Sequence, residues 1–170
     1  MSQGDMQVKI VVTYGGLLGR LMRKVGQKWN HAFLLLSWGE KPYRLVYESD
    51  WRGVHAGPLL RKHLAEEFEV YELKEPLDAI RTLELIAFAE GNCYKPYGYY
   101  LLPLFAWRLL KSLLRKPGFV AFTRPAEVCS SFVQACFEYV GVDLCPGKIA
   151  LPDDLANSPL LKKSVLNVKR

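Results

Sequence analysis

At 170 residues and 50% hydrophobic composition, the chain is sized for one domain with a real core, and no Ser/Gly-rich linker marks a second. Its 23 basic and 17 acidic residues leave a net charge of +6, four of the positive charges being Lys162, Lys163, Lys169 and Arg170 at the very end. An excess this modest and dispersed, with no recognition motif, argues against nucleic acid as a partner.

Residues 7–13 read as a buried strand, followed by Gly15-Gly16 and a short basic amphipathic segment, 17–25, suited to a helical turn or two. Residues 32–38 are a continuous apolar run, and Lys41-Pro42 turns the chain into 43–48, which predicts an antiparallel hairpin. Residues 53–59 and the alternating 68–73 continue it as further strands of a meander. Residues 78–90 place Ile80, Leu83, Ile86 or Ala87, and Glu90 at helical spacing, with Gly91-Asn92 as the stop.

Residues 99–116 are strongly apolar, but Arg108, Lys111, Ser112 and Arg115 form one polar stripe. The segment falls short of the roughly 20 uninterrupted apolar residues that a membrane span requires. A helix docked on the core is the expectation; a lid or a peripheral membrane contact is the alternative. A second helix is expected over about 126–140, burying Phe132, Val133, Cys136 and Val140 and stopping at Gly141. Residues 151–159 are turn-rich, and 164–168 suit a terminal strand.

The four cysteines, Cys93, Cys129, Cys136 and Cys145, contain no C-x-x-C pair, and residues 1–6 lack the basic and apolar regions of a secretion signal. The expected location is therefore the cytoplasm, where the cysteines stay free thiols. A zinc site would have to be assembled from unpatterned ligands, and no metal or cofactor is expected. Cys136 and Cys145 read as small buried hydrophobes.

Cys129 is different, because it falls in the first turn of its helix, where unpaired N–H groups and the helix dipole favour thiolate and can hold an oxyanion. It needs a base, and the chain has three histidines. His31 opens the most apolar strand, so the sheet fixes its backbone while its ring stands at the strand's end. His55 is mid-strand, and His63, in Arg61-Lys62-His63, is expected on a solvated face. A base also needs an orienting group, and the returning strand of the hairpin brings Glu48 near His31, with Asp50 as the fallback.

A strand opening with Asn30-His31-Ala32-Phe33-Leu34-Leu35, then Tyr47-Glu48-Ser49, then Val128-Cys129-Ser130-Ser131-Phe132-Val133 and a Leu-Pro-Asp-Asp-Leu-Ala-Asn-Ser-Pro tail at 151–159 resemble, in that order, the circularly permuted branch of papain-like (NlpC-type) cysteine hydrolases, including YiiX-like amidases. The resemblance implies an α+β fold: an antiparallel half-barrel packed against helices, including the cysteine helix, as a single domain over 1–170 with an apolar-basic insert at about 99–122. It implies Cys129 as nucleophile, His31 as general base and then acid, and Glu48 orienting His31. The oxyanion would rest on the Cys129 N–H and one further donor; Tyr14 is a candidate, although an aromatic packed by Gly15-Gly16 is the simpler reading. The implied function is a thiol hydrolase cleaving an amide or ester bond of a cell-wall peptide or lipid-linked substrate. The alternatives are a thiol acyltransferase using 99–122 to hold a lipid chain, and an inactive membrane-surface or binding module.

Overall fold

The computed structural model describes residues 6–24, 26–38, 43–60, 63, 67–96, 128–148 and 150–166. The expected turn at Lys41-Pro42, the segment 99–122 with its basic stripe, and residues 126 and 127 lie outside them. The described elements run β1 (Gln7–Tyr14), α1 (Gly16–Lys24), β2 (His31–Trp38), β3 (Tyr43–Asp50), β4 (Gly53–Pro58), β5 (Glu67–Leu73), α2 (Ala79–Gly91), α3 (Cys129–Tyr139), α4 (Pro152–Ala156) and β6 (Leu161–Ser164). No helix among the described residues is long and apolar enough to cross a membrane.

The strands form one antiparallel sheet in the order β4-β3-β2-β1-β5-β6. The meander expected from sequence therefore holds only from β1 to β4. After β4 the chain crosses to the far side of β1, pairing Ile10 with Tyr71 and Tyr14 with Glu67. This makes β1 and β2 central, and the uninterrupted apolar runs follow from burial on both faces. Ile10, Val12, Ala32, Leu34 and Leu36 face the helices with Leu85, Phe132, Val133 and Cys136, whereas Val11, Phe33, Leu35, Val46 and Val70 form a second cluster. Each fully buried Leu or Phe contributes about 1.5–3 kcal/mol relative to exposure.

Two helices define the first layer. Asp78 caps α2 by accepting the Arg81 N–H at 2.8 Å. The buried stripe of α2 is Thr82, Leu85 and Ala89, one step round from the expected face: Ile80 and Leu83 are exposed. Arg81 also donates to the Val140 carbonyl, tying the start of α2 to the end of α3.

Helix α3 begins at Cys129 and is buried at every position from Cys129 to Phe137, wider than the one-sided face expected. Burial on the polar side is compensated by hydrogen bonds. Gln134 accepts the Ala150 N–H at 2.9 Å and donates to the Cys145 and Lys148 carbonyls, and Ser130 donates to the Ala150 carbonyl at 2.6 Å. Gly141, with φ of 78°, ends the helix as expected.

Two expectations near the C-terminus are corrected. The turn-rich 151–159 contains the short helix α4, with Pro152 at its start and Asp154 accepting the Leu151 N–H at 2.8 Å. The last strand among the described residues, β6, lies over Leu161–Ser164, paired with β5 from Leu73↔Leu161 to Val70↔Ser164; of the expected 164–168, residues 165 and 166 are not in a strand and 167 and 168 lie outside the described residues.

Candidate active site

His31 occupies the first position of β2, opposite Thr13 of β1. The loop that delivers it is held from two sides. Asp153 of α4 accepts the N–H groups of Lys28 and Trp29 at 2.8 and 2.7 Å, and the Asn30 side chain accepts the Gly15 N–H at 3.0 Å. The tail at 151–159 thus contributes by fixing the approach to His31.

The β2–β3 ladder stops at Leu34↔Tyr47, short of His31, while β3 stays paired with β4 as far as Asp50↔Gly53. Carried one step further, the β2–β3 register sets Glu48 beside Phe33, two residues along the same face from His31. Glu48 Oε2 lies 3.1 Å from His31 Nε2. A carboxylate only accepts, so Nε2 carries the proton, which leaves Nδ1 as the ring atom for another partner.

That partner is Cys129, whose sulfur is hydrogen-bonded to the His31 ring. Val128, at the N-cap, has no side chain that caps α3. The first-turn N–H groups are therefore left for other acceptors, and the Ser130 N–H bonds the sulfur, as does the Ala32 N–H of β2. Burial by itself would push the Cys129 thiol up; the bond and charge of His31 and these two N–H groups outweigh it and hold the thiol below its ordinary range. His31 is the mirror case. Desolvation pulls it down, but the hydrogen bonds and charges of Cys129 and then Glu48 raise it from 6.5 to about 10. The direction common to both is a thiolate–imidazolium pair.

The third member is held still more strongly. Burial favours a neutral Glu48, yet the hydrogen bond and charge of His31, with His63 and His55 also beside it, lower it to about 2. All three histidines of the chain converge on this carboxylate: His55 Nε2 is 3.0 Å and His63 Nε2 3.2 Å from Oε1. His63 was expected on a solvated face. Instead its side chain is only 8% exposed, its ring lies 5.9 Å from that of Phe33, and its Nδ1 accepts the Leu60 N–H at 2.8 Å. That bond leaves the proton on Nε2, so neutral His63 donates to Glu48.

The remaining sequence candidates sit elsewhere. Asp50, the fallback orienting group, is bonded to Arg52 at 2.8 Å, and no contact to His31 is found for it among the described residues. The Tyr14 ring packs under the Arg23 guanidinium, 3.6 Å from its centroid, and alongside Gly19, whereas a Cβ on Gly16 of the expected Gly15-Gly16 pair would meet nothing within 4 Å. Cys136 and Cys145 are buried, and among the described residues none of the four cysteines is joined in a disulfide. Among the described residues, Glu48, Asp50 and His55 also form a group whose donor atoms lie within 4.8 Å of one another, close enough to hold a metal ion.

Sequence reasoning missed His63 and the Asp153 clamp. No local pattern marks His63, since its approach to Glu48 comes from a loop that leaves the sheet edge. The clamp had a signal: Pro152 followed by Asp153 and Asp154 is a helix start.

No family profile matches this sequence, and no curated protein does. Among solved structures the chain is similar to the metalloprotein YiiX from Escherichia coli O157:H7, at 14% identity and a TM-score of 0.68, over 94% of this chain and 96% of that one. At this identity the likeness is one of fold: a mixed α+β architecture, with an open antiparallel sheet packed against helices, that this chain shares with YiiX.

Proposed function

We propose that this chain is a thiol hydrolase that cleaves an amide or ester bond through an acyl-cysteine intermediate. The observation that carries the reading is one contiguous hydrogen-bonded line: the sulfur of a helix-start cysteine, the His31 ring, and the Glu48 carboxylate at 3.1 Å. Cys129 attacks the carbonyl carbon as thiolate, its proton held on His31. The oxyanion is stabilised by first-turn N–H groups of α3, the Cys129 N–H first among them. As the tetrahedral intermediate collapses, His31 gives its proton to the leaving amine or alcohol, and the C–N or C–O bond breaks. His31 then takes a proton from water, whose oxygen attacks the thioester, and the acid departs as Cys129 is restored. Glu48 keeps the ring oriented and stabilises the imidazolium throughout.

The YiiX-like fold and the permuted order of histidine strand before cysteine helix support this reading by analogy. YiiX is described as a metalloprotein. Toward a metal, this chain offers Glu48, Asp50 and His55, and no step above passes through one.

The test is to quench turnover of activated amides and esters with acid and weigh the protein. An acyl adduct confined to Cys129, and absent from Cys129→Ala, is expected. Equal turnover by wild type and Cys129→Ala would overturn the proposal.

A further inference from the structure

The Glu48 carboxylate has a second face, turned away from His31, and its surroundings follow from sheet register. In the β3–β4 ladder Glu48 lies directly opposite His55, and Asp50 opposite Gly53. Glu48 and Asp50, two apart on one strand, share a face with His55 on its neighbour. The His55 Nδ1 is 3.1 Å from the Gly53 carbonyl. A carbonyl only accepts, so Nδ1 carries the proton and Nε2 of the neutral ring presents a lone pair. This is the backbone anchoring that aims a histidine at a cation.

The lone pair points at an anion. His55 Nε2 is 3.0 Å from Glu48 Oε1, which also accepts the His63 N–H at 3.2 Å, and a cation lies beside both. The cation is Arg52, from the turn joining β3 and β4. Its Nη2 lies 2.7 Å from His55 Nε2, 2.8 Å from Asp50 Oδ2 and 3.8 Å from Glu48 Oε1. One nitrogen of one side chain thus touches the whole donor set. The three donors lie within 4.8 Å of one another, and donors bound at about 2.0–2.2 Å round a tetrahedral ion are about 3.3 Å apart.

The geometry points to a divalent-metal site formed by Glu48 Oε1, Asp50 and His55 Nε2, with the Arg52 guanidinium holding the cation's place until a metal displaces it. One imidazole and two carboxylates suit a borderline ion such as zinc, cobalt or manganese. The donors sit on paired strands and are preorganised. Arg52 is on a turn with its side chain 42% exposed and can withdraw into water. Gly53 completes the device. Its φ of 101° and the close approach of the Lys95 carbonyl, which a Cβ would meet, restrict the position to glycine, and its own carbonyl sets the His55 tautomer. The site uses Oε1, which a metal would share with the His63 N–H, whereas His31 uses Oε2.

Cobalt(II) titration of the full chain, followed by its visible absorption, tests this. A Cys129→Ser background removes the thiolate as a competing ligand, so the outcome is independent of the proposed reaction. One equivalent is expected to bind. Arg52→Ala should tighten binding about tenfold or more by removing the resident charge. Adding His55→Ala or Asp50→Asn should weaken it by about 10–100-fold. Arg52→Gln repeats the test if Arg52→Ala loses its cooperative melt. The site is overturned if removing Arg52 leaves cobalt affinity unchanged, or if binding survives both the His55 and Asp50 substitutions.

Discussion

Helix α3 carries two cysteines seven positions apart, Cys129 and Cys136 (136 − 129), and they occupy opposite chemical settings on one element. Cys136 is fully buried in the core cluster with Leu34, Leu85 and Phe132. Cys129 is also buried, yet its sulfur meets an imidazole and two backbone N–H groups. Burial alone therefore does not separate a packing thiol from a reactive one. What separates them is position along the helix. The first turn has N–H groups to spare, and an uncapped start beside the split between β2 and β3 gives the sulfur donors that the interior turns have already used.

The largest expected contrast is in turnover. Cys129→Ala should abolish hydrolysis, by about 10⁴-fold or more, while the chain keeps a cooperative unfolding transition. Cys136→Ala should do the reverse, keeping the rate while costing about 1–2 kcal/mol of stability for the small cavity left. A loss of turnover in both would erase the distinction between the two turns.

Next in size is the carboxylate. Glu48→Gln keeps the shape but removes the charge that three histidines surround, and turnover should fall by about 10–100-fold. Because the folded-state pKa is lowered from 4.5 to about 2, the stabilisation is fully present above pH 4.5 and is lost as pH falls through about 2. Thermal unfolding should thus show Glu48→Gln less stable than wild type by about 3 kcal/mol at pH 7, with the gap closing toward pH 2. A constant gap across that range would assign the loss to packing.

The smallest effect belongs to the clamp behind His31. Asp153→Ala frees two N–H groups and should cost about 1–3 kcal/mol, with a modest fall in turnover as His31 loses its fixed approach. Denaturant unfolding measures the first, and steady-state rates the second.

The same contrast of local and distant explains what the sequence made legible. Hairpin arithmetic brought Glu48 to His31 because alternation and a short turn constrain register locally. Cys129 at a helix start was legible for the same reason. The passage of β5 to the far side of β1 was not, since pairing Val11 with Val70 leaves no mark in either segment. His63 was not legible either: it lies in the connection between β4 and β5, and nothing in Arg61-Lys62-His63 marks its ring for Glu48. The buried stripe of α2 was misread because Ile80 and Leu83 are apolar yet exposed, so periodicity there named a face that the described core does not use.

The most direct measurement is the pH dependence of alkylation at Cys129 and Cys93, read by mass spectrometry in one sample. Cys93 serves as internal standard, since burial and the nearby Glu90 raise its thiol above the ordinary range. Cys129 should react rapidly at pH 6 while Cys93 stays unmodified, and the advantage should fall by about 100-fold in His31→Ala. If Cys129 labels only near its ordinary pKa of 9.0, with no dependence on His31, the thiolate–imidazolium pair is contradicted.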